Sequence, residues 1–539
     1  MELMFAFNPK DGRHLYEQLY IYLRNEIRSG HLHPGERLPS TRQLAAALKI
    51  ARTTVELAYE QLEEEGYLVI RRGSGAYVCE ITNIPDLRGE NSSEWLLLSD
   101  GQPAADSAAD SAADKSCIDF SPRSIDMSAF PYATWRRILR GILTGDRSEL
   151  FHRGDPRGDE ELRSTIARYL HLSRGCHCHA GQILIGAGND YLLMVLAMVL
   201  GGQETMAEQT VRQTESVRRI AMDEFTYLRA AEVMRGMGYT VVPVPGDHQG
   251  MDVHALEESG AELIYVMPTR QFPTGQMMPY PRRAALLSWA AGGENRYIIE
   301  DDYDSEFKYR GRPVPSLQSA DENGHVIYMG TFSKAIAPAI RISYLILPER
   351  LLPVFRKRAG FLSCTVPRLD QAVLNEFIRD GYFERYLNRM RNRYKAKHDR
   401  LLELLEPLED RFVIAGQGAG LHLILQAGSG EDQPAQAPTE RAPTGKAPLG
   451  KISTGKAPTE QELVERARQR GVRVYAMAEQ RLPEARERER EAKPCGKATV
   501  LLGFASLTDE EMRTGIEALK EAWDFRDGVR QTEASKSDT

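Results

Sequence analysis

The chain has 539 residues, 42% of them hydrophobic and 27% charged, with a formal net charge of −7. That length excludes a single small binding module and, at about 150 residues per domain, predicts roughly three or four folding units. No apolar run approaches the ~20 residues of a membrane span, and the start lacks a basic segment feeding an apolar one, so the reading is a cytoplasmic protein without a secretory signal.

Six scattered cysteines do not form a disulfide framework. Cys176-His177-Cys178-His179 is too tight to surround one tetrahedral metal, and no second pair follows at a useful spacing, so no metal site is expected. The acidic balance excludes a basic nucleic-acid protein overall but not a local basic face.

Leu15, Leu19, Leu23 and Ile27 recur at helical spacing and Gly30 follows as a stop, which predicts a first helix. Ser40 with Gln43 reads as a capping box for a second helix, and Thr53 with Glu56 as one for a third. Two short apolar runs, Tyr67 to Ile70 and Ala76 to Val78, flank a turn with Gly73 and Gly75 and predict a hairpin. A helix, a helix-turn-helix and a two-stranded wing result. Such modules present the start of the recognition helix to base edges, here Arg52, Thr53 and Thr54. Arg42, Arg71 and Arg72 supply cations suited to phosphates. Any one of these arginines alone reads as a solvated surface charge; the ordered set beside a glycine-bounded wing reads as a DNA face.

The stretch LYEQLYIYLRNEIRSGHLHPGERLPSTRQLAAALKIARTTVELAYEQLEEEGYLVIRRGSGAYV resembles the winged helix-turn-helix of GntR-type bacterial transcription regulators throughout. The resemblance implies DNA contacts from Arg42, Arg52, Thr53 and Thr54, with Arg71, Arg72 and Gly73 at the wing. On this reading residues 1–80 are the DNA-binding domain. Residues 81–117, with their repeated DSAA, are a flexible linker.

From 118 to 527, short apolar runs alternate with amphipathic helices: Ile183 to Gly186, Val241 to Val244, Leu263 to Met267, Tyr297 to Glu300 and Val326 to Met329. This predicts an α/β domain with a mostly parallel sheet whose ligands gather at strand C-terminal ends. Residues 428–459, built of APT and GKAP units, cannot form a core and read as a surface insertion; 528–539 is a polar tail.

Two of those strand ends carry chemistry. One leads into Asp301, Asp302 and Tyr303, the other into Thr331, Phe332, Ser333 and Lys334. An amine and a carboxylate on neighbouring strand ends match what pyridoxal 5′-phosphate requires: a nucleophile for its aldehyde and an acid for its ring nitrogen. Gly186-Ala187-Gly188-Asn189-Asp190 opens a helix whose backbone amides suit a phosphate.

GDPRGDEELRSTIARYL, VMPTRQFPTGQMMPYPRRAALL, YIIEDDYDSEFKYRG and VIYMGTFSKAIAPAIRISYLILP resemble MocR-type regulators. This GntR subgroup joins the winged helix to a fold-type I pyridoxal phosphate domain of aminotransferase type. The resemblance implies that Lys334 forms the internal aldimine, Asp301 faces the pyridine nitrogen and Tyr303 reaches the ring hydroxyl. Arg341, Ser333, Gly188 and Asn189 would hold the phosphate and Arg229 would line an effector pocket. Tyr227 matches the aromatic near the ring and reads equally as core. The implied assembly is a homodimer on a double-stranded DNA operator, responding to a small amine or amino acid.

Three departures accompany the resemblance. Arg153 stands where the family tends to have Tyr, Arg270 where it has His, and TVLLGFAS, residues 499–506, lacks the arginine that enzymes of this fold place near a C-terminal strand to bind a carboxylate. Two further functions therefore stand beside a sensor: a working aminotransferase with an accessory winged helix, and a large domain kept only for dimerisation.

Overall fold

A computed structural model describes residues 14–71, 74–79, 117–145, 147–201, 218–309, 314–428, 458–491 and 497–524. The chain divides into two compact units, Met1–Ala112 and Ala113–Thr539. Arg72 and Gly73, nearly all of the linker and the insertion, and the tail lie outside the described residues.

In the first unit, α1 (Leu15–Arg28) and α2 (Thr41–Leu48) pack on α3 (Arg52–Glu64), and β1 (Leu68–Arg71) pairs antiparallel with β2 (Gly75–Val78). Leu19, Leu23 and Ile27 of α1 meet Leu44, Val55, Tyr59 and Leu62 in one buried cluster, the apolar stripe read from their spacing; Leu15 stays exposed. Ser40 caps α2 through Gln43, a pair of bonds contributing about 1 kcal/mol. The box expected at Thr53 is not formed. Lys49, in the left-handed region at φ 56°, turns the chain so sharply that α3 starts at Arg52 with Ala51 as its cap. Thr53 thus falls inside the first turn, and Glu56 pairs with Arg52 at 2.8 Å instead. The wing also gains an edge: Leu38 N donates to Ala76 O at 2.9 Å and Val78 N to Glu36 O at 2.9 Å.

The second unit is built on a seven-stranded sheet. Its strands are β3 (Ile183–Gly186), β4 (Arg219–Asp223), β5 (Thr240–Val244), β6 (Leu263–Val266), β7 (Tyr297–Asp302), β8 (Val326–Thr331) and β9 (Ser343–Ile346). Their order is β3-β9-β8-β7-β6-β4-β5, parallel except for β9, which runs antiparallel to both neighbours. Apolar clusters cover both faces, which is why these strands read as near-continuous apolar runs. Helix α4 (Asn189–Leu200) follows β3, and α5 (Leu228–Gly236) follows β4.

After the 24-residue α6 (Tyr382–Leu405) come β10 (Phe412–Ala415), β11 (His422–Ala427), β12 (Tyr475–Ala476) and β13 (Thr499–Gly503). They form an antiparallel sheet in the order β10-β11-β13-β12. The arginine-rich stretch between β12 and β13 forms a helix at Pro483–Glu491. Arg481, just before it, pairs with Glu224 at 2.7 Å. Among the described residues no helix is long and apolar enough to cross a membrane.

Candidate functional site

On the first unit, Arg42, Arg52, Thr53 and Arg71 are exposed and Thr54 is half-buried at the start of α3. The Arg71 guanidinium lies over the Tyr77 ring, 5.2 Å from its centroid. Arg37 is a further cation at the wing that the sequence reading missed. It bridges to Tyr77, and its Nε would lie 2.9 Å from a Cβ added at Gly75. Only the extra pairing of residues 36–38 brings it there.

On the second unit, the ends of β3, β4, β6, β7 and β8 converge. β7 continues to Asp302, two residues beyond its apolar run, so Asp301 sits within the strand opposite Met329 of β8. Alternation along β7 separates the carboxylates. Asp302 turns to one face, where Arg174 Nε donates to it at 2.7 Å and Tyr328 at 2.5 Å. Asp301 turns to the other face, where the Tyr265 hydroxyl donates to Oδ2 and Asn189 Nδ2 does so at 3.4 Å. Burial without a paired cation pushes the Asp301 carboxyl up to about 7.

Lys334 follows β8 through a turn in which Ser333 N donates to Thr331 Oγ1 at 3.1 Å. Its Nζ donates to Pro122 O and Arg123 O, each at 3.0 Å, and burial brings the amine down to about 8 despite the nearby Asp304 carboxylate. Tyr227, which caps α5, and Tyr303 lie near Asp301 and interact with its charge; burial raises both phenols. Gly188, at φ 93°, caps α4. A Cβ there would lie 2.2 Å from Arg341 Nη2, so the close approach of this arginine requires glycine. Arg341 is itself left-handed, at φ 47°. Asp190 ties it at 3.4 Å and Arg229 at 3.7 Å, so Arg229 stands beside the α4 N-terminus.

The sequence reading missed Tyr265, which holds Asp301, and the buried pair Arg270–Asp304, at 3.4 Å. Arg270 Nη2 also donates to His422 O at 3.1 Å, tying β6 to β11. Tyr265 is the lone polar tip in an apolar strand, a faint signal; the Arg270 partners come from remote segments. Arg153, at the first family departure, donates to Ser363 Oγ at 2.9 Å. Cys176 is buried against Ser316, and His179 bonds Glu349.

Among the described residues, buried polar atoms without a partner include Asn189 Oδ1, Asp301 Oδ1, Tyr303 OH and Ser333 Oγ. Leaving such atoms unsatisfied costs about 1–3 kcal/mol each, so their gathering at one set of strand ends fits a polar ligand held there. Together with a basic glycine turn at a helix N-terminus and a depressed lysine, they match the donor set pyridoxal 5′-phosphate needs.

Comparison with known proteins agrees with this geometry. Residues 15–78 match the family of bacterial regulatory proteins of the gntR type, and residues 127–519 match aminotransferase class I and II. The uncharacterized HTH-type transcriptional regulator YdeL of Bacillus subtilis is 36% identical, over 94% of this chain and 96% of its own length. The probable rhizopine catabolism regulatory protein MocR of Rhizobium meliloti is 33% identical over 76% and 81%. The pyridoxine biosynthesis regulator PdxR of Corynebacterium glutamicum is 29% identical over 80% and 87%. Among solved structures, a multiple substrate aminotransferase from Thermococcus profundus superposes with a TM-score of 0.60 at 21% identity, covering 80% of this chain and 99% of the other. The chain belongs to the MocR-type group of GntR-family regulators, a DNA-binding transcription regulator whose large unit has the fold of class I and II aminotransferases and pyridoxal 5′-phosphate as its cofactor.

Proposed function

We propose that the large unit uses pyridoxal 5′-phosphate at Lys334 to sense a small amine, an amino acid or the cofactor level itself, and passes the result to the winged helix as a change in DNA affinity. The partnerless buried atoms at the strand ends carry this reading. When bound, the cofactor supplies an aldehyde that condenses with amines and a ring that withdraws electrons. Lys334 offers its amine, and a carboxyl near 7 at Asp301 can hold a proton at the ring nitrogen. Tyr303 would donate to the ring hydroxyl and Tyr227 would pack near the ring. Arg341, Ser333 and the amides at Gly188 and Asn189 would hold the phosphate, and Arg229 would meet the effector. A cytoplasmic homodimer presenting two winged helices would read two half-sites of an operator, and a useful coupling between effector and DNA is about 1–3 kcal/mol. The names of the Rhizobium and Corynebacterium relatives, which tie them to small-molecule metabolism, agree with a metabolite response.

A working aminotransferase is the second reading, favoured by the same Lys334, Asp301 and Tyr303. The test is the visible spectrum of the full-length protein as amines and amino acids are titrated in, read beside operator affinity. Sensing predicts a band that shifts once with an effector and stops, a parallel change in DNA affinity, and no band in Lys334→Ala. Sustained release of a keto product with unchanged DNA affinity would overturn sensing in favour of turnover.

A further inference from the structure

Four arginines stand around the Lys334 amine and the Gly188 turn, and three are engaged: Arg229 and Arg341 with Asp190, and Arg270 with Asp304 and the His422 carbonyl. Arg123 is the fourth. It is exposed, and among the described residues no carboxylate pairs with it. Its carbonyl accepts from Lys334 Nζ at 3.0 Å, and its charge acts on both the Lys334 amine and the Tyr227 phenol, lowering each. The two groups it influences are those that the proposed reading sets at the reacting amine and over the ring.

The backbone that carries Arg123 is fixed. Phe120 is fully buried, and its carbonyl accepts from Gly503 N at 2.7 Å. Tyr475 OH donates to Asp119 at 3.0 Å, and Asp126 takes Arg393 and Lys397, each at 2.7 Å. The segment lies so close on the end of β13 that a Cβ at Gly503 would fall 2.0 Å from Ser121 O. That strand end, through Ser506, contains no arginine. An exposed guanidinium with no carboxylate partner among the described residues is therefore carried by a fixed backbone segment that lies on the strand end lacking an arginine.

We infer that Arg123 binds the carboxylate of the effector, so that the ligand sensed beside Lys334 is an amine carrying a carboxylate, an amino acid, and not a simple amine. This rests on the sensing function proposed above and names its ligand class. Arg123 also belongs to the first described segment of the large unit.

The experiment compares matched probes on the cofactor-loaded full-length protein: alanine or β-alanine against ethylamine, and leucine against isopentylamine. The concentration giving half the spectral shift is read for wild type, Arg123→Ala, Arg123→Gln and Arg123→Lys, with the ligand-induced rise in melting temperature as a second readout. In wild type at least one amino acid outcompetes its decarboxylated partner. Arg123→Ala and Arg123→Gln weaken that amino acid about 10- to 100-fold relative to its simple amine, the scale of a charge-assisted hydrogen bond. Arg123→Lys retains part of the preference. An amino acid and its amine binding alike in wild type, no probe binding at all, or variants losing both probes equally would overturn the assignment. A wild type that shows no visible band on cofactor addition would instead remove the sensing function beneath it.

Discussion

Glu300 and Asp302 leave β7 toward one face and Asp301 toward the other. On the first face Glu300 accepts from Leu317 N at 2.7 Å and Gln318 N at 2.9 Å, and Asp302 meets a buried arginine, so both hold the fold. On the second face Asp301 meets no cation among the described residues, and its Oδ1 has no partner there. Lys334 is tuned in the complementary direction. With its amine near 8, about a tenth is neutral at pH 7 and about nine-tenths at pH 9. Only the neutral amine attacks an aldehyde, so the proton must leave first. The rate at which protein stripped of cofactor regains its visible band should therefore climb nearly tenfold from pH 6 to 7 and level off above about 9; stopped-flow absorbance measures this, and a flat profile would contradict the role of Lys334. The placement of Lys334 and Asp301 at neighbouring strand ends was legible in the sequence because an amine and a carboxylate are unusual there. The approach of Arg123, Arg270 and Tyr265 to them was not, because segments remote in the chain bring them together and no local pattern encodes that meeting.

At the level of elements, the turn from β3 into α4 depends on one residue without a side chain. Gly188, at φ 93° and ψ 164°, occupies a region that costs other residues about 1–3 kcal/mol, and its added Cβ would also push Arg341 away. Gly188→Ala should lower the melting temperature and weaken cofactor binding by tenfold or more, as read by cofactor titration. Gly236→Ala, where the added Cβ meets nothing within 4 Å, should do neither. If both variants bound cofactor like wild type, the α4 N-terminus would not be the phosphate site. The parallel core strands could be read from their apolar runs, but their ends could not. Asp301 and Asp302 look like loop residues in sequence, and become strand because β8 and buried partners pair them. The sharp turn at Lys49 hid the true start of α3 in the same way: Thr53 with Glu56 satisfied the capping pattern, while the tight turn set the helix start at Arg52.

Across the whole molecule, two compact units carry two separable chemistries, and each kept enough of its pattern to be recognised from sequence. The acidic total charge was no guide to the DNA face, because binding depends on where cations are exposed, not on their sum. Arg42 and Arg52 allow a test by salt dependence. Arg42, exposed in the first turn of α2, is the proposed phosphate contact, whereas Arg52, the proposed base reader, opens α3 in an i,i+4 pair with Glu56. Such a pair contributes about 0.3–0.5 kcal/mol, little enough for a base edge to replace it. Arg42→Ala should weaken operator and unrelated DNA alike and lower the slope of log affinity against log salt by about 1. Arg52→Ala should cost about 1–3 kcal/mol on the operator and much less on unrelated sequence. Titrations of both variants at several salt concentrations decide this. Equal losses on both DNAs for Arg52→Ala would mean that the start of α3 contacts only the backbone and that sequence is read elsewhere on the wing or helix.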